Sequence, residues 1–237
     1  MRSIISRNHE KAAGKLWNES KESEFIQDQA HWRGIGRWEN DENWINIGKS
    51  RQEMYQKLEQ ILPFKPNKNT MVEWGPGGGS NILAFSNEFK EIVGVDISSE
   101  TLKQCINQVK SIENFKFIPE LIEADQPELI RENYIGYFDF FLSTAVYQHF
   151  PSKQYAKKIN QIAYDLLKDN GTAIIQIRYD DNNWRYHSKL FGYRKKFIAF
   201  TSFGISEFNK NLEKIGFVVE SIILKSNTNY AYFLLRK

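Results

Sequence analysis

Cysteine is nearly absent from this 237-residue chain. Cys105 stands alone, which excludes an internal disulfide framework and fits a reducing compartment. Long apolar runs are missing too. No stretch approaches a membrane span and the N-terminus lacks the apolar core of a secretory signal, so a cytoplasmic protein is expected. Charge of one sign is scarce: 32 Lys and Arg against 29 Asp and Glu leave a formal +3, too little to argue for a nucleic-acid partner. Repeats and low-complexity segments are also lacking. Aromatic residues, by contrast, are plentiful, and five of the six tryptophans (Trp17, Trp32, Trp38, Trp44 and Trp74) fall in the first third. With 41% apolar and 26% charged residues, the chain is otherwise ordinary for one globular domain with an appendage.

Residues 1–50 show no clean hydrophobic period and are expected to form short helices and loops that close over the rest as a lid. Residues 51–237 read as the main domain. A helix is predicted from Ser50 to Leu62, where Met54, Tyr55, Leu58 and Ile61 recur at helical spacing before Pro63. Strands and helices then alternate: strands end near Trp74, at Val95, Ile122, Leu142 and Arg178, with helices over Ser80–Glu88, Ser99–Val109 and Lys153–Leu167. Pro119 places the third strand at an edge or bulge. An insertion of about 179–204 follows, then a helix over Ser206–Ile215 and a hairpin of Phe217–Leu224 with Ala231–Leu235. The expected fold is α/β, a Rossmann-like, mostly parallel seven-stranded sheet with helices on both faces and a C-terminal antiparallel hairpin.

MVEWGPGGGS, residues 71–80, joins a buried strand to a loop with Gly75, Gly77, Gly78 and Gly79, which lets backbone amides approach a ligand closely. Glu73 opens the loop, Asp96 ends the second strand and Asp125 follows the third. In an open α/β sheet these three acids converge at the carboxyl ends of the strands. A dinucleotide fits poorly, since its pyrophosphate is anionic and Ser80 replaces the third glycine of its fingerprint. A cofactor carrying an ammonium, a sulfonium, a ribose and an adenine suits the acids better. The GKS at residues 48–50 is dismissed as a phosphate loop, because Asn43 stands where the upstream glycine belongs.

With VEWGPGGGS, VGVDIS, FDFFLSTAVYQHF and DLLKDNGTAII, residues 50 to 237 resemble the class I S-adenosylmethionine-dependent methyltransferases. The resemblance implies S-adenosyl-L-methionine as cofactor, with Glu73 near its methionine end, Asp96 on the ribose hydroxyls and Asp125 on the adenine, Glu123 being the alternative for the last. Trp74, Gly75, Gly77, Gly79, Ile97 and Thr144 complete the expected cofactor contacts. Trp74 is bulkier than the family's loop residue and is expected to crowd or stack on the cofactor.

His149, in the loop after strand four, is the candidate catalytic base, with Tyr147 and Gln148 beside it. The insertion is expected to carry the acceptor through Arg178, Tyr179, Arg185, Tyr186, His187 and Arg194, because mixed aromatic and cationic groups suit a sugar bearing a phosphate or carboxylate. Trp32 and Arg33 are expected to close over the site from the lid. Asp180 and Asp181 lack a third ligand, so no metal is expected. The reading that follows is an O-methyltransferase acting on a small-molecule or glycan acceptor, without a nucleic-acid partner or membrane span. The alternatives are a nucleic-acid or protein N-methyltransferase and a non-catalytic binding module. Oligomeric state is open.

Overall fold

The computed structural model describes residues 2–19, 23–180 and 187–237. The N-terminal segment comprises α1 (Arg2–Asn18), α2 (Glu24–Gln29) and α3 (Asp41–Ile61). The predicted helix over Ser50–Leu62 is the second half of α3, which begins nine residues earlier and runs unbroken across residue 50. Its start is set by the Asn40 side chain, whose Oδ1 accepts the amides of Glu42 and Asn43 and so satisfies donors that a helix cannot bond internally. No apolar period marks that polar first turn.

The main domain runs β1 (Thr70–Trp74), α4 (Ser80–Phe85), β2 (Glu91–Asp96), α5 (Ser99–Val109), β3 (Lys116–Leu121), α6 (Arg131–Tyr134), β4 (Phe138–Ser143) and α7 (Lys153–Leu166). It continues with β5 (Leu167–Arg178), α8 (Tyr193–Lys196), α9 (Ile205–Ile215), β6 (Val218–Leu224) and β7 (Tyr230–Arg236). The sheet order is β3-β2-β1-β4-β5-β7-β6, with β1 to β5 parallel and β7 antiparallel to both β5 and β6. β3 is an edge strand in that order, which accommodates Pro119 opposite Gly94.

Side chains alternate across the sheet, so β1 and β4 feed two cores. Val72 and Phe141 pack with Ile159, Ile162 and Leu166 of α7 and with Phe208 and Leu212 of α9. Met71 and Phe140 pack on the opposite face with Tyr55, Leu58, Ile82, Phe85 and Phe89. This two-sided burial explains why the central strands read as continuous apolar runs. One boundary differs from expectation: α7 stops at Leu166, and Leu167 already pairs with Phe138. Lys168 meets buried Asp139 at 2.9 Å there, so an ion pair and a buried leucine draw the chain into the sheet before the Asn170–Gly171 turn.

The sheet order reverses at β1, between β2 and β4. Such a switch point leaves a crevice at the carboxyl ends of the strands.

Candidate active site

The glycine loop closes the floor of that crevice. Gly75 is bonded to β2 through its amide and the Val95 carbonyl at 2.8 Å and adopts φ 75°; a Cβ there would lie 2.5 Å from Val146 Cγ2. The loop after β4 therefore sits hard against the glycine loop. Gly78 has a different reason to lack a side chain, since a Cβ would overlap the carbonyl of His31. At Gly77 the obstacle is Ala30 O at 2.6 Å. Gly77 and Gly78 thus admit the N-terminal segment, and Gly77 also faces the cleft. Gly79 caps α4 above Cys105, whose thiol donates to Gly77 O at 3.0 Å.

Glu73 is buried one layer behind the cleft wall. Asn81, on the first turn of α4, donates from Nδ2 to Glu73 Oε1 at 2.5 Å and to Thr144 Oγ1 at 3.3 Å. Two acceptors remain without a hydrogen-bond partner among the described residues: Glu73 Oε2 and Asn81 Oδ1. Burial pushes the Glu73 carboxyl up to about 8, against the pull of the Asn81 bond and the Arg51 charge. Asp96 stands at the end of β2 and is likewise raised by burial, to about 7, although its Oδ1 accepts the Ser98 amide at 2.9 Å.

His149 lies across the cleft. Its Nδ1 is 3.0 Å from Phe197 O, and a carbonyl only accepts, so Nδ1 carries the proton and the Nε2 lone pair faces the Gln148 side-chain amide at 3.4 Å. Burial lowers the ring to about 4, hence neutral at physiological pH. Trp17 of α1 meets the imidazole edge-on at 5.2 Å between centroids, and Phe197 packs on both rings. The cleft, about 900 Å³ with the open solvent at its mouth, is lined by Gly75, Pro76 and Gly77 of the glycine loop but not by Gly79, by Asn81, Asp96, Ile97, Ile122, Ala124, Thr144, His149, Tyr155 and Tyr193, and from the N-terminal segment by Glu10, Trp17 and His31.

Several expected contacts lie elsewhere. Asp125 is beyond the lining, 3.9 Å from Lys11 on an adjacent groove that Glu123 shares, while Ala124 between them faces the cleft. Trp74 is in the core beside Phe141 and contributes to the wall. Tyr147 is fully buried and bonds Asn160 at 2.8 Å; buried Gln148 ties the loop to the chain at Phe200 and Thr201. Arg33 forms a paired contact with Asp41 at 2.7 Å and lies over Trp44, and Trp32 is buried outside the lining. Arg178 and Tyr179 anchor the end of β5, with Tyr179 bonding Thr228 O. His187 is exposed beside Asp180, and Arg194 pairs with Glu19 on the surface. Asp181, Arg185 and Tyr186 lie outside the described residues.

Glu10, Trp17, His31, Asn81 and Tyr155 were not anticipated as lining residues, whereas Tyr193 belongs to the aromatic and cationic insertion expected to carry the acceptor. Asn81 alone had a legible signal, its place one residue after the glycine loop at a helix start.

The profile of a family described as a methyltransferase domain matches residues 47–222, most of the chain. The chain belongs to this methyltransferase family. Among curated proteins none matches it. Solved structures share the fold at low identity. The methyltransferase superposes on an S-adenosylmethionine-dependent methyltransferase of Clostridium acetobutylicum ATCC 824 with a TM-score of 0.59 and 13% identity, covering 77% of this chain and 88% of that one. For one of Methanosarcina mazei the values are 0.58, 15%, 77% and 97%. The N-methyltransferase NodS of Bradyrhizobium japonicum WM9, solved with S-adenosyl-L-homocysteine, gives 0.56, 10%, 79% and 86%.

S-adenosylmethionine is the methyltransferase's cofactor, and the cleft fits it chemically. Two unpartnered buried oxygens beside the glycine loop suit a cationic donor, Asp96 suits paired hydroxyls, and Ile97, Ile122 and Ala124 offer apolar walls to a flat base.

Proposed function

We propose that this methyltransferase methylates a hydroxyl of a small molecule or carbohydrate, with His149 as general base. One observation carries the reading: the Phe197 carbonyl fixes the imidazole with Nδ1 protonated, so that Nε2, whose neighbour is the Gln148 side-chain amide at 3.4 Å, can accept a proton in the wall of an aromatic cleft.

Asn81, backed by Glu73, would meet the ammonium of the cofactor and Asp96 the ribose, while Ile97, Ile122 and Ala124 would flank the adenine, with Thr144 bracing Asn81. When bound, S-adenosylmethionine supplies an electrophilic methyl on a sulfonium. The chain's part is positioning and proton management. His149 Nε2 would orient the acceptor hydroxyl, in place of the Gln148 amide, and take its proton. Trp17, Tyr155 and Tyr193 exclude water and offer aromatic faces of the kind that receive a sugar ring. A neutral hydroxyl is favoured over a phosphorylated or otherwise anionic acceptor, because the described residues of the wall include neither lysine nor arginine.

The N-terminal segment serves as the lid. Its seat is the Ala30–His31 backbone on Gly77 and Gly78, and Trp44 Nε1 holds His31 O at 2.8 Å.

The test is a screen with methyl-labelled cofactor across sugars, nucleotide sugars, phosphonates, oligonucleotides and peptides. Label on a sugar hydroxyl, lost in His149→Ala, is the expected result; label only on peptide or base amines overturns the reading.

A further inference from the structure

We propose that the outer face of α8 and its flanks dock the enzyme onto an anionic lipid surface. Tyr193 at the start of α8 and Phe197 just beyond its end, four residues apart, pack inward against His9, Trp17, His149 and Phe200. The residues between them face solvent. Arg194, Lys195 and Lys196 are exposed, as are Leu190 at 74%, Phe191 at 67% and Ile198 at 38%. Phe25 of α2, 54% exposed, extends the apolar surface by packing edge-on against Phe197.

The composition of this patch selects its occupant. Isolated exposed apolar residues need no explanation, but Leu190 and Phe191 stand adjacent at the tip of a loop, ahead of Gly192 at φ 77°. Three consecutive cations follow. Glu19 engages Arg194 at 2.7 Å, while Lys195 and Lys196 enter no ion pair among the described residues. Apolar tips that enter the boundary of headgroups and acyl chains, with lysines at headgroup level, match an anionic bilayer. A nucleic acid would use the cations and leave the leucine and phenylalanine unexplained. No helix among the described residues is long and apolar enough to cross a membrane, so the contact is peripheral. The patch shares α8 with the cleft wall, so docking presents the cleft beside the lipid surface.

Vesicle sedimentation tests this with the full chain alone, without acceptor, so the outcome is independent of the acceptor assignment. The probes are phosphatidylcholine vesicles with and without phosphatidylglycerol. The protein is expected to pellet with the anionic vesicles and to be released by salt. Lys195→Gln with Lys196→Gln should weaken partition about 30-fold, at about 1 kcal/mol for each lysine. Leu190→Ser with Phe191→Ser should also release the protein, with unchanged circular dichroism and melting in both variants. Absence of pelleting, equal pelleting with neutral vesicles, or retention by either variant overturns the proposal. So does concentration-dependent self-association that Leu190→Ser and Phe191→Ser abolish without any vesicle binding, or an oligonucleotide bound through the lysines whatever stands at 190 and 191.

Discussion

Asn81 Nδ2 donates to Glu73 Oε1 at 2.5 Å, and this one bond leaves both side chains with an oxygen buried and unpartnered among the described residues. The pair is thus built as a desolvated acceptor site whose remaining valence awaits a cation. Because burial raises Glu73 to about 8 and Asp96 to about 7, Glu73 is mostly protonated and Asp96 partly protonated at pH 7 before the cofactor arrives.

Cofactor binding is therefore expected to release protons near pH 7. A cation beside Glu73 favours its ionised form, so affinity should rise as pH increases toward 8 and level off above it. Calorimetry in buffers of different ionisation enthalpy should give different apparent enthalpies. Glu73→Gln should remove much of that dependence; a buffer-independent enthalpy in the wild type would refute the linkage.

The same two groups set a pH trend in stability. Their folded-state values lie above the unfolded ones, so their contribution is complete below the ordinary carboxylate range and is lost as pH rises through about 7 to 8. The cofactor-free protein should melt at progressively lower temperature from pH 5 to 8, with a smaller slope in Glu73→Gln.

Replacing Asp96 by alanine should weaken S-adenosylmethionine binding about 10- to 100-fold, the scale of hydrogen bonds to a charged group. Melting temperature offers the control, and unaltered affinity would remove Asp96 from the ribose.

His149→Ala should lower kcat about 100- to 10,000-fold while cofactor affinity is retained, once an acceptor is in hand. Since burial holds the ring near 4, the pH–rate profile should show no inflection from His149 between pH 5 and 8. Wild-type turnover in the variant would exclude it as base.

Gly78→Ala should destabilise the protein by about 1–3 kcal/mol, as overpacking does, because the new methyl meets a backbone carbonyl that cannot swing aside. Denaturant unfolding measures it. Asp139→Ala supplies the contrast: this carboxylate accepts the Thr70 and Asn69 amides and pairs with Lys168 at the opposite end of the sheet, so stability should fall with cofactor affinity unmoved.

The five parallel strands, the terminal hairpin and the helices over Ser99–Val109 and from Lys153 were legible in the sequence, because period and turn chemistry are local properties written in neighbouring residues. So were the glycine loop and the acids at Glu73 and Asp96, fixed by their place at strand ends. What the sequence left open was every contact between distant segments. Nothing local says that Gly77 and Gly78 lie under Ala30 and His31, that Trp17 packs on His149, or that Phe197 sets its tautomer. Likewise, pattern alone cannot distinguish Ala124 facing the cleft from Asp125 beside it facing Lys11, since one residue of rotation decides the matter. Sequence determines which elements form; which side chains share the cleft is decided by how those elements pack, and only the tertiary structure holds that information.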